Sequence, residues 1–254
     1  MPEGVAFALV LSTLAGLSTS LGGLLGLLVR QPGPRFMALT LGFSAGVMVL
    51  VSFVELLPGA IESIGFTAAH VAFFGGVGAM FLIDVFIPHD YLGETHEGEA
   101  GSQEANLEKT GLFVALGIGI HNFPEGMASF VGALEDPSLG IAIAVAVAIH
   151  NIPEGLAVAA PIYAATGSRR KAFLWSFLSG LAEPVGAGLA ALVLLPFLSP
   201  AVLGVVLAAV AGIMVFISMD ELVPVASSFG QEHLPIVGVS LGMVVMAVSL
   251  GILR

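Results

Sequence analysis

The sequence contains no cysteine, which excludes disulfides and thiolate metal ligands. It is also poor in charge: Asp, Glu, Lys and Arg make up only 10% of the residues, and just 7 are basic. A soluble chain of this length needs roughly 25% charged residues to cover its surface. Other absences narrow the function. There is no Walker phosphate loop, no selectivity-filter sequence, no HExxH protease motif and no arginine inside the central apolar stretches. Monovalent-ion and phosphate handling have no fitting features, and no nucleic-acid partner is expected.

What the chain does have is apolar sequence from end to end. It is 57% hydrophobic with 33 glycines, and its mean hydropathy is +1.05. These values predict an all-α polytopic membrane protein, with the lipid bilayer as its partner and residues 1–254 as one domain. Eight spans are expected, at 5–29, 36–57, 68–87, 112–132, 139–163, 172–195, 201–223 and 234–253. The first has no basic residue ahead of it and Arg30 behind it, so it is expected to be an uncleaved helix. Its Gly16, Gly22, Gly23 and Gly26 suit close helix contacts. Pro58-Gly59 is expected to end the second span and Pro224 the seventh. The polar stretch 88–109 carries His89 and His96 among carboxylates and predicts a flexible acidic loop. Arg30, Arg35, Lys109, Arg169, Arg170 and Lys171 all fall in the first, third and fifth connections. Basic loops stay cytoplasmic, so both termini are expected on the outer side. Spans two and seven share an ending, Glu55-Leu56-Leu57-Pro58 and Glu221-Leu222-Val223-Pro224, yet run in opposite directions. That suggests inverted repeats.

One phrase occurs twice in the middle of the chain: His121-Asn122-Phe123-Pro124-Glu125-Gly126 and His150-Asn151-Ile152-Pro153-Glu154-Gly155. Histidine and glutamate four apart share a helix face, and each asparagine lies about 100° round from its histidine. Pro124 and Pro153 each withhold an amide hydrogen and free a carbonyl one turn back, predicting two polar breaks. A third carboxylate beside a proline, Glu183-Pro184, stands halfway down the sixth span. Carboxylates at mid-bilayer depth need a partner or a wet cavity. A divalent cation resolves the repulsion among three carboxylates. Imidazole and carboxylate suit Zn²⁺, Fe²⁺, Mn²⁺, Co²⁺, Ni²⁺ or Cd²⁺, and binding should displace protons. A carrier is expected rather than an enzyme, with the metal as cargo and no cofactor. The alternatives are an intramembrane metal-dependent hydrolase or protease with Glu125 as general base, and a divalent-cation channel.

The paired HNxPEG phrases and the Ser179-Gly180-Leu181-Ala182-Glu183-Pro184 stretch resemble the ZIP family of divalent-metal transporters, its bacterial branch above all. The resemblance covers essentially the whole chain. It implies a 3+2+3 helix arrangement with inverted repeats, a place in the bacterial inner membrane, and Zn²⁺ uptake toward the cytoplasm with broad divalent selectivity. It implies one metal position at His121, Glu125, His150 and Glu154, helped by Met48. A second is implied at Asn122, Asn151 and Glu183, with Glu125 and Glu154 bridging. A homodimer is compatible with the same reading.

Overall fold

In the computed structural model, residues 4–28, 33–85, 103–197 and 199–253 are described. Among them there is no strand, and eight long helices account for nearly all of the chain. They are α1 (Val5–Leu28), α2 (Pro34–Ile64), α3 (Phe66–Val85), α4 (Gln103–Glu135) and α5 (Pro137–Thr166). After these come α6 (Arg169–Gly180, resuming as Ala182–Leu194), α7 (Pro200–Ser228) and α8 (Leu234–Leu253). Seven stretches are long and apolar enough to cross a membrane, one in each helix except α4, which carries the first motif. The chain is therefore an all-α polytopic membrane protein. Its burial pattern is that of a protein dissolved in lipid: Leu28, Val71, Leu192 and Ile252 are exposed, while Glu125, His150, Glu154 and Glu183 are wholly buried.

Helix ends follow local chemistry. Pro34, Pro137 and Pro200 open their helices at the first position, where a missing amide hydrogen costs nothing. Asp136 caps α5 by accepting from the Ser138 and Leu139 amides at 2.8 and 3.0 Å. The Leu139 amide holds that carboxyl below its usual range. Gly167, at φ 62°, closes α5 in the left-handed conformation that glycine adopts without strain.

Two expectations about prolines are corrected. Pro58 and Pro224 do not end their helices; α2 runs on to Ile64 and α7 to Ser228. The chain widens instead into π-helical turns at Ser52–Leu56 and Ser218–Leu222, where Leu57 donates to the Ser52 carbonyl and Val223 to the Ser218 carbonyl. A wider turn makes room for the proline ring ahead of it. Nor do Pro124 and Pro153 interrupt helical winding, since α4 and α5 are continuous. The interruption falls at Leu181, before Pro184. The acidic loop also ends earlier than expected, because residues 103–109 belong to α4. His89 and His96 lie outside the described residues.

The inverted repeat is written in the helix contacts. Gly46 lies on the Val239 carbonyl, and Gly212 lies on the Phe73 carbonyl. Both glycine-to-glycine and Phe73-to-Val239 steps are 166 residues. The same step relates Gly76 on Ala209 to Gly242 on Phe43. So α2–α3 repeat as α7–α8. Gly22 on Ile152 answers Gly186 on Phe123 in the same way, pairing α1 with α6 and α4 with α5. Each pair is an odd number of crossings apart, so the copies run in opposite directions. The arrangement is 3+2+3. A groove of about 800 Å³ lined by Phe123, Pro124, Met127, Val205 and Ala209 opens between α3, α4, α6 and α7. The counterpart of Ala209 across the repeat is the bulkier Phe43.

Candidate cation site

Residues of α1, α2 and α6 contact the motif residues of α4 and α5. Glycines bring α6 and α1 close: Gly126 of α4 lies on the Glu183 carbonyl of α6, and Gly155 of α5 lies on the Thr19 carbonyl of α1. Helix backbones that touch leave no lipid between them, so the side chains beside these contacts are sealed from both lipid and bulk water. Asn122, Glu125, His150, Asn151, Glu154 and Glu183 are all 0% exposed.

The hydrogen bonds have one orientation. Asn122 Nδ2 donates to the Ser179 carbonyl at 3.2 Å, and Asn151 Nδ2 donates to the Ala15 carbonyl at 3.3 Å. Asn151 also donates to Glu183 Oε1. With their donors turned to the scaffold, both amides leave Oδ1 without a partner among the described residues. Glu125 Oε2 and Glu183 Oε2 are likewise unpartnered. Four buried acceptor oxygens are thus left over on the two motifs and on α6. A buried acceptor without a donor costs about 1–3 kcal/mol, so this arrangement is unfavourable unless something positive or protic meets it.

His150 is fixed from two sides. Its Nδ1 lies 2.9 Å from the Ala146 carbonyl, which can only accept, so Nδ1 carries a proton. Its Nε2 faces Glu125 Oε1 at 3.2 Å. The histidine of one motif therefore meets the glutamate of the other. Shared helix faces predicted pairings within each motif; packing supplies one between them. Glu154 accepts from Ser44 Oγ at 2.8 Å, and the same hydroxyl reaches the His150 carbonyl at 3.1 Å. Ser44 was not foreseen, because a lone serine in an apolar span carries no sequence signal. Met48, on the same helix, is fully buried. The side chain of His121 lies outside the described residues. Among those described, no three His, Asp or Glu side chains converge closely enough to hold an ion by themselves. Any binding must enlist the asparagine oxygens or residues outside that set.

Comparison with known proteins gives one consistent result. A family model described as ZIP zinc transporter matches residues 87–250. A zinc transporter ZupT of Corynebacterium aurimucosum is 50% identical over 260 residues, covering 98% of this chain and 97% of the relative. A ZupT of Chlorobium phaeovibrioides is 54% identical, covering 96% of both chains. One from Streptococcus mutans is 47% identical, covering 98% of both.

Proposed function

This chain belongs to the ZIP family of zinc transporters, and from that premise we propose that it carries Zn²⁺ into the cytoplasm by alternating access through the buried site between α1, α4, α5 and α6. It is a transporter rather than an enzyme, and the metal is cargo rather than cofactor. The observation that carries the reading is the set of unpartnered buried oxygens on Asn122, Glu125, Asn151 and Glu183. A divalent cation is the species that would satisfy them all at once.

On this reading one cation is held by His121, Glu125, His150 and Glu154 with help from Met48. A second position uses Asn122, Asn151 and Glu183, with Glu125 and Glu154 shared. Nitrogen and oxygen donors of this mixture discriminate weakly among Zn²⁺, Fe²⁺, Mn²⁺, Co²⁺ and Cd²⁺, so broad selectivity follows. The proton shared by His150 and Glu125 must leave before either can bind metal, which couples transport to pH. The inverted repeat supports alternating access, since two equivalent packings of the same helices give a site two mouths. The distribution of basic residues supports a bacterial inner-membrane orientation with both termini outside.

Radioactive Zn²⁺ uptake into proteoliposomes, measured against concentration, pH and competing metals, tests this. Saturable, pH-dependent flux is expected. Flux rising linearly without saturation would favour a channel, and absence of flux from correctly inserted protein would refute transport.

A further inference from the structure

The inverted repeat assigns every residue of α1 a counterpart on α6, and at the site the counterparts differ. Ser176 Oγ donates to the Thr19 carbonyl at 2.9 Å, and Ser12 Oγ donates to the Glu183 carbonyl at 3.2 Å. Gly16 and Gly180 each lie on the other's carbonyl, and Gly155 lies on Thr19 as Gly126 lies on Glu183. A single step of 164 residues takes Ser12 to Ser176, Gly16 to Gly180 and Thr19 to Glu183. Thr19 therefore occupies on α1 the place that Glu183 occupies on α6. On the α6 side, the Glu183 carboxylate meets Asn151. On the α1 side the matching partner is Asn122.

Thr19 is 0% exposed and its hydroxyl has no hydrogen-bond partner among the described residues; Asn122 Oδ1 has none either. The orphan hydroxyl stands where the other half places the Glu183 carboxylate, and Asn122 Nδ2, the counterpart of the atom that meets Glu183, donates to the Ser179 carbonyl. A threonine hydroxyl is two bonds shorter than a glutamate carboxylate, and the missing length is about what one water molecule fills. A water there would have the two or more polar neighbours that a buried water requires.

We propose that Thr19 is a cargo-binding residue, its hydroxyl holding a water ligand of the transported cation on the α1 side, where α6 supplies the Glu183 carboxylate. The inference rests on the transport reading above and adds a residue to it. It gives the site one charged and one neutral flank. Three carboxylates face the ion instead of four, so the charge holding it is limited and release stays feasible.

The test uses the purified full-length chain and Zn²⁺ itself. Thr19→Val keeps the shape and removes only the hydroxyl. A purely structural role predicts unchanged or higher stability without metal, because an unpaired buried hydroxyl is removed, and unchanged Zn²⁺ affinity. A cargo-binding role predicts the same metal-free stability with Zn²⁺ affinity weakened about tenfold, the effect typical of residues that support a metal ligand. Thr19→Ser, which restores the hydroxyl, returns affinity to the wild-type value. Thr19→Glu completes the symmetry and is expected to tighten Zn²⁺ binding while slowing uptake. Wild-type affinity in Thr19→Val overturns the proposal. So does a parallel fall in metal-free stability and affinity that Thr19→Ser fails to repair. Absence of Zn²⁺ binding by the wild-type protein would instead refute the transport reading, and this inference with it.

Discussion

Glu125→Gln separates charge from geometry at the centre of the site. His150 donates from Nδ1 to Ala146, so its 3.2 Å contact with an ionised Glu125 carries the shared proton on Nε2, whereas neutral His150 beside a glutamine offers Nε2 as an acceptor. A glutamine amide can supply the hydrogen for that contact. The metal-free fold should therefore lose only the difference between a charge-assisted and a neutral hydrogen bond, about 1 kcal/mol. Metal binding should lose far more. A unit charge and a divalent ion 4 Å apart at an effective dielectric constant of ~20 attract by about 8 kcal/mol. The carboxylate is fully buried, so water does little to screen it. Even half of that figure corresponds to about a thousandfold in affinity. Zn²⁺ titration calorimetry on purified protein, repeated in two buffers of different ionisation enthalpy, reads both affinity and protons released. The variant should keep its thermal transition, lose Zn²⁺ affinity by at least ~10³-fold, and abolish uptake. Zn²⁺ affinity within tenfold of wild type would mean that this carboxylate does not face the ion.

Replacing His150 with alanine removes an imidazole but no carboxylate, so uptake of Zn²⁺ and Cd²⁺ should fall further than uptake of Mn²⁺ in competition assays. Glu183→Gln should lower the metal bound per chain or its affinity in equilibrium titration, while Asn151 keeps an amide oxygen to donate to and the fold persists. Ser44→Ala removes the hydroxyl that steadies Glu154, and Zn²⁺ affinity should weaken by roughly tenfold. Gly155→Ala would drive a methyl into the Thr19 carbonyl and should destabilise the protein by about 1–3 kcal/mol on thermal unfolding. Gly59→Ala, where a methyl meets nothing within 4 Å, should not destabilise it.

The class of protein and its helical spans were legible in the sequence because both depend on local composition. A stretch long and apolar enough to cross a bilayer must be helical, since lipid offers its backbone no other partner. The twin HNxPEG phrases were legible for a related reason: ionisable groups in such stretches are too costly to be incidental. Helical spacing, however, reveals only which residues share a face. It places Glu125 with His121, whereas the packing of α4 against α5 brings Glu125 to His150. It likewise gives no sign of Ser44, which acquires its role from the α5 helix packed against it. Proline was misleading at Pro58 and Pro224, because whether it ends a helix depends on whether neighbours hold the chain through a π turn. Thr19 and Glu183 share no residue type, and the Ser-x-Leu-x-Gly-Leu frame before each, at 12–17 and 176–181, is too short to single out their equivalence. The packing of α1 and α6 about the repeat axis establishes it, because there matching contacts to the Thr19 and Glu183 carbonyls fall at one step along the chain.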